Sequence, residues 1–235
     1  MSTALAVPAP PPVTVAVAVA DSALRFPVRR IYCVGRNYAE HVREMGGDER
    51  EPPFFFQKPT DAVVPGGTQV PYPPFTEDFQ HEVELVLAIG QEGIDIRIED
   101  AARHVYGVSV GIDLTRRDVQ VVARKTGRPW EIGKSFDHSA PCGEIVPLAD
   151  RPLPAQGHIE LSVNGQVRQS GDLAQMIWSS AEVVSKLSHQ YRLMPGDLIY
   201  TGTPAGVGPL RPGDEVNARI DGIGSIDISI VAQRV

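Results

Sequence analysis

"FQHEVELVLAIG", Phe79 to Gly90, is the stretch whose reading decides the fold. In an extended chain alternate residues share a face, so Glu82 and Glu84 project side by side while Val83, Leu85, Leu87 and Ile89 point the other way. The acidic face continues as Val86 and Ala88, so from residue 85 onward both faces are apolar. That pattern predicts a strand buried on both sides, with two carboxylates at the mouth of a core. Like charges beside an apolar face are costly unless protons or a cation neutralise them. A bound metal is one answer, and two solvated glutamates at a strand end is the other.

The chain has 235 residues, 42% hydrophobic and 22% charged, which suits one sizeable core in an ordinary globular protein. Net charge is −7 and the arginines are scattered, so a phosphate-tracking surface is not expected and nucleic acid drops out as a partner. The two cysteines, Cys33 and Cys142, fit reduced thiols in a cytoplasmic protein and are not spaced for zinc. The N-terminus "MSTALAVPAPPPVTVAVAVADSA" is apolar, yet it has no Lys or Arg before Arg25 and prolines interrupt it, which argues against an export signal. No stretch approaches the ~20 apolar residues of a membrane span.

Twenty-one prolines and twenty-two glycines, with few long periodic segments, predict many short strands joined by tight turns, a β-rich α+β fold. Residues 1–24 read as a Pro-rich arm in which "VTVAVAVA" alternates like an edge strand, and residues 25–235 as a single domain. "NYAEHVREMG" (37–46) predicts a short helix, part of a segment placed to close as a lid. In "IEDAARHVYGVSVGIDLTRRDVQVVARKTG" a short helix, an apolar strand over 105–112 and a second helix beginning near Asp113 are expected. "DLAQMIWSSAEVVSKLSHQY" predicts an amphipathic helix, and "MPGDLIY" and "RPGDEVN" predict two similar turns leading into strands.

Asp113 stands where the apolar strand ends, either reaching a site at the strand ends or capping the next helix. Arg117, Gln120 and Arg124 share a helix face below it, a row that aims at one place or is simply solvated. Glu82, Glu84 and Asp113 together make an all-oxygen set, which selects a hard cation such as Mg²⁺, Mn²⁺ or Ca²⁺. Three carboxylates and a divalent cation remain negative, so an anionic ligand needs further positive charge, from Arg117 or from Lys134 in "PWEIGKSFD". Lys134 reads equally as a snorkelling surface side chain. His41 and Glu44 lie one helical turn apart, a spacing that suits a general base and its orienting acid as well as a polar surface helix. "YTGTPAGVGP" resembles an anion-cradling loop offering Thr203 and backbone N–H groups, and equally a Gly-rich hairpin.

Taken in order, "CVGRNYAEHVREMG", "PFFFQKPTDAVV", "HEVELVLAIG", "GIDLTRRDVQ", "PWEIGKSFD" and "LMPGDLIYTGTPAGVG" resemble the fumarylacetoacetate hydrolase family over roughly residues 27 to 235, in particular its short, single-domain acylpyruvate hydrolase branch. The resemblance implies a mixed β-roll core decorated by helices, a homodimer, and Mg²⁺ or Mn²⁺ held by Glu82, Glu84 and Asp113. It further implies that His41 and Glu44 activate water from the lid helix, that Lys134 lies near the reacting carbonyl, and that Arg117, Gln120 and Thr203 contact substrate. The implied substrate is a small 2,4-dioxo acid such as fumarylpyruvate, cleaved between carbons 3 and 4 to fumarate and a pyruvate enolate. The same enolate chemistry without water would give oxaloacetate decarboxylation or dienoate isomerisation, and a non-catalytic metal-binding protein is a third reading. Positive charge left over in Arg36, Arg124, Lys125 and Arg128 is available for a second, distal carboxylate, which makes Arg36 a further substrate-binding candidate.

Overall fold

The computed structural model describes residues 15–40, 52–149 and 151–233. The Val83–Ile89 strand is buried at every position. Its two faces feed two different cores. Val83, Leu85, Leu87 and Ile89 pack with Ile159, Leu161, Ile228 and Leu187, whereas Val86 and Ala88 pack with Ile31, Cys33, Leu198 and Tyr200. The period-two pattern therefore divides the strand as the sequence predicts.

This strand lies inside a six-stranded mixed sheet. It pairs antiparallel with Val105–Ile112 on one side and with Asp197–Tyr200 on the other. Asp197–Tyr200 runs parallel to Arg30–Gly35, which pairs antiparallel with the edge strand Phe54–Lys58; Val146–Pro147 closes the other edge. A five-stranded sheet, ordered Gln166–Asp172, His158–Val163, Glu215–Ile220, Gly224–Val231, Thr68–Pro71, packs against it. A three-stranded sheet of Thr115–Arg116, Phe79–His81 and Gly208–Pro209 sits at the end of the central strand. The architecture is β-rich α+β.

Local chemistry shifts several expected boundaries. The second helix begins at Arg117 rather than near Asp113, because residues 113–116 stay extended. Asp113 N–H donates to the Glu82 carbonyl at 2.8 Å, Leu114 N–H to that of Ser139 at 3.1 Å, and Thr115–Arg116 pairs with Phe79–Gln80. Asp113 is thus not a helix cap. The amphipathic stretch 172–191 divides into a 3₁₀ turn, Leu173–Gln175, and a helix, Ser180–Ser188, since two capping boxes, Asp172 with Gln175 and Ser179 with Glu182, each start an element of their own. The two Pro-Gly-Asp turns are alike in detail: Asp197 accepts from Met194 N–H at 2.8 Å and Asp214 from Arg211 N–H at 2.7 Å. From residue 15 the arm packs on the domain, with Ala16–Ala18 paired to Arg25–Pro27 and Val17 and Val19 buried. Most of the helix expected over 37–46, including His41 and Glu44, lies outside the described residues. Among the described residues no helix is long and apolar enough to cross a membrane.

Candidate active site

Glu82 occupies the single residue between Phe79–His81 and Val83–Ile89, where the chain passes from the three-stranded to the six-stranded sheet. Glu84 follows two residues later on the same face, and Asp113 leaves the end of the neighbouring strand. Each carboxylate is at most 5% exposed, and one oxygen from each lies within 4.8 Å of the others. Three buried oxygen donors at this spacing fit a hard divalent cation.

Among the described residues, three buried cations face them. Lys134, read from sequence as either a site or a surface residue, is 1% exposed, and its ammonium reaches Glu82 Oε2 at 2.8 Å, Asp113 Oδ2 at 2.8 Å and Thr115 Oγ1 at 2.6 Å. Arg117 spends its whole fork on the site. Its Nη2 bonds to Glu82 Oε1, its Nη1 to Gln120 Oε1 at 2.6 Å and its Nε to Gln80 Oε1 at 2.9 Å. Lys58, to which the sequence reading assigns no role, pairs with Asp113 Oδ1 at 2.8 Å and donates to the carbonyls of Lys134 and Leu114. Three carboxylates therefore face three cations, with Glu82 and Asp113 each bonded to two of them and Glu84 to none. Arg117 and Lys134, the two cations read from sequence as sources of positive charge, both lie against the carboxylates, and Lys58 joins them.

Glu84 differs from its neighbours. Burial pushes its carboxyl well above the usual range, and the nearby charges of Asp113 and Glu82 push it further, while Oε2 accepts from the Gly202 N–H at 2.7 Å. The loop read as an anion cradle does hold a carboxylate, that of Glu84. Gly202 has φ +99° and lies so close to Asn37 that a Cβ would collide with that side chain, and Asn37 in turn donates to the Thr201 carbonyl at 2.7 Å. For Lys134, burial acts to lower the pKa, but the charges of Asp113 and Glu82 outweigh it and hold the ammonium above its ordinary range.

Gln169, also missed from sequence, ties the strand junction to this loop. Its Oε1 accepts from Val83 N–H at 3.1 Å and meets His81 Nδ1 at 2.9 Å, while its amide donates to Thr203 Oγ1 and the Pro204 carbonyl. No local pattern marks a glutamine in the middle of a strand as an organiser.

One cavity collects Arg36, Glu82, Glu84, Asp113, Arg117, Gln120, Lys134 and Thr203, which are all of the expected site residues that the structure describes. Val34, Phe56 and Trp130 complete it with an apolar wall. Arg124 is half-buried and does not line it, while Lys125 and Arg128 are exposed. Cys33 and Cys142 are buried and unpaired, and burial pushes Cys142 up to about 11, so neither is poised as a nucleophile.

Residues 30–231 match the family described as Fumarylacetoacetate (FAA) hydrolase C-terminal. A fumarylpyruvate hydrolase of Ralstonia sp. is 44% identical over 180 residues, covering 77% of this chain and 93% of that protein. The mitochondrial oxaloacetate tautomerase of Mus musculus is 41% identical over 202 residues, 86% of this chain and 91% of that one. The crystal structure of fumarylpyruvate hydrolase from Pseudomonas aeruginosa, in complex with Mn²⁺ and pyruvate, superposes with a TM-score of 0.93 at 51% identity, covering 95% of this chain and 98% of the other. With the buried carboxylate cluster set in the matching fold, the chain belongs to the fumarylacetoacetate hydrolase family.

Proposed function

We propose that the protein hydrolyses the carbon–carbon bond of a 2,4-dioxo acid, fumarylpyruvate being the substrate that its relatives favour, with water added to give fumarate and pyruvate. The observation that carries this reading is the cluster of Glu82, Glu84 and Asp113 beside Lys134 in one cavity. These three carboxylates would hold Mg²⁺ or Mn²⁺, and the bound ion would supply Lewis-acid polarisation of the 2-oxo group. The internal balance of charges supports an anionic substrate: a divalent cation added to a neutral cluster leaves positive charge for a carboxylate and a developing enolate.

The remaining work falls to the chain's own side chains. Lys134 presents an ammonium where negative charge grows on the 2-oxo oxygen, and Arg117 and Gln120 are bonded to each other, ready to orient the substrate's first carboxylate. Thr203, fixed by Gln169, offers a hydroxyl at the same cavity. We assign His41, oriented by Glu44, as the base that takes a proton from water. The water oxygen bonds to carbon 4, the bond from carbon 3 to carbon 4 breaks, and carbon 3 keeps the electron pair as an enolate that is then protonated. The same reading makes the protein a homodimer, by family resemblance, and cytoplasmic, a compartment that suits the two buried free thiols.

The test is to incubate purified protein and Mn²⁺ or Mg²⁺ with fumarylpyruvate, acetylpyruvate and oxaloacetate, following products by NMR. Equal amounts of fumarate and pyruvate are expected. Turnover of oxaloacetate faster than either acylpyruvate would favour decarboxylation or keto–enol isomerisation, the second being the chemistry named for the mouse relative.

A further inference from the structure

Resting on the hydrolase reading above, in which Thr203 meets the substrate, we infer that Gln169 is a positioning residue: it fixes the polarity of the Thr203 hydroxyl, so that the hydroxyl hydrogen is kept for an oxygen of the substrate. Gln169 reaches the site through an irregularity in its strand. Leu161 pairs with Gln169 and Ser162 with Val167, so Arg168 is the extra residue of a β-bulge. In a regular strand Val167 and Gln169 would share a face, yet Val167 is 54% exposed and Gln169 is fully buried. The bulge thus turns a glutamine inward from a strand whose preceding residues, 166–168, are exposed. Gly206, with φ +93°, seats the loop after Thr203 on the Arg168 carbonyl, where a Cβ would collide.

The partners of the buried amide decide which way round it lies. Val83 N–H can only donate and the Pro204 carbonyl can only accept, so Oε1 faces Val83 and the amino group faces Pro204. The other two partners inherit that orientation. His81 Nδ1, 2.9 Å from Oε1, must carry a proton, and Thr203 Oγ1, 2.8 Å from Nε2, must accept one of its hydrogens. A hydroxyl that accepts from the amide turns its own hydrogen elsewhere, and Thr203 lines the cavity of Glu82, Glu84, Asp113 and Lys134. That hydrogen suits a carboxylate or carbonyl oxygen of the substrate. Reversing the amide would set its amino group against the Val83 N–H and its oxygen against the Pro204 carbonyl, leaving both buried backbone groups unsatisfied.

The test has a spectroscopic and a kinetic arm. In wild-type protein at neutral pH, long-range ¹H–¹⁵N correlation of the imidazoles should show a proton on Nδ1 of His81; a bare Nδ1 would mean that the amide lies the other way, and overturns the inference. With fumarylpyruvate and Mg²⁺, Thr203→Val and Gln169→Glu should each raise KM roughly ten- to a hundredfold with kcat nearly kept, and Thr203→Ser, which keeps the hydroxyl, should recover most of that loss. Gln169→Glu has the amide's shape but sets a carboxylate oxygen against Thr203, which draws the hydroxyl hydrogen away from the substrate. The Gln169→Glu, Thr203→Val double variant should be no worse than either single one, since both remove the same contact. An unchanged KM in Thr203→Val or in folded Gln169→Glu, or losses that multiply in the double variant, overturns the inference and leaves hydrolysis in place. Should Gln169→Glu not fold, the His81 proton and the two Thr203 variants decide. Wild-type protein that cleaves no acylpyruvate overturns the hydrolase reading, and the positioning role with it, whatever the His81 signal.

Discussion

The ammonium of Lys58 donates to the backbone carbonyl of Lys134 at 2.5 Å, while the two lysines hold opposite oxygens of Asp113, each at 2.8 Å. One lysine thereby fixes the main chain of the other and the carboxylate that they share. Removing Lys58 would strand Asp113 Oδ1 and two buried carbonyls. Lys58→Met is expected to cost about 3–5 kcal/mol, the usual penalty for breaking a buried pair by deleting one partner. Urea unfolding measures it, and a loss under about 1 kcal/mol would mean that water replaces the ammonium.

Metal binding and stability are linked through Glu84. In the metal-free protein burial and the charges of Asp113 and Glu82 oppose ionisation of its carboxyl, and Glu84→Gln keeps an acceptor for the Gly202 N–H. With chelator present, Glu84→Gln should melt no lower than wild type. On adding Mn²⁺ the wild type should gain about 2.7 kcal/mol at a hundred times its Kd, and the variant far less. Equal metal-induced shifts in both proteins would remove Glu84 from the ligand set.

His41 matters in the proposed reaction only if water is the nucleophile. His41→Ala should lower hydrolysis of fumarylpyruvate by roughly 10²–10⁴, as loss of a general base does. Any turnover of oxaloacetate, which needs no attacking water, should fall less. Equal losses in the two assays would assign His41 to substrate placement instead.

Asp118 pins the loop before the central strand to the Arg117–Lys125 helix, accepting from Thr76 Oγ1 at 2.5 Å, Val119 N–H at 2.9 Å and Glu77 N–H at 2.9 Å. Burial acts to raise its carboxyl, but these bonds outweigh burial and hold it below its ordinary 3.8. A folded-state pKa below the unfolded one stabilises the protein fully above pH 3.8, and that stabilisation is lost as pH falls through the folded value. Asp118→Asn should cost about 1–2 kcal/mol near neutrality. The gap from wild type in urea unfolding should close in acid; one that stayed constant would assign the cost to geometry rather than charge.

The sequence by itself determined the elements whose cause is local. Alternation along Val83–Ile89 marked a strand with two buried faces, and the Pro-Gly-Asp turns announced their strands through backbone geometry that four residues suffice to specify. The spacing of Glu82, Glu84 and Asp113 made a carboxylate cluster able to hold a hard cation legible, because strand period and strand end place carboxylates predictably. Only the tertiary structure decided who neutralises them. Lys58 meets Lys134 across 76 residues of chain, Lys134 meets Glu82 across 52, and Glu84 meets the loop at Gly202 across 118. The helix boundary at Arg117 was likewise set from outside, by pairing of Thr115–Arg116 with Phe79–Gln80. The reason is the same in each case: a buried polar group takes the partner that the fold brings within 3 Å, and periodicity along the chain carries no information about separations of that length.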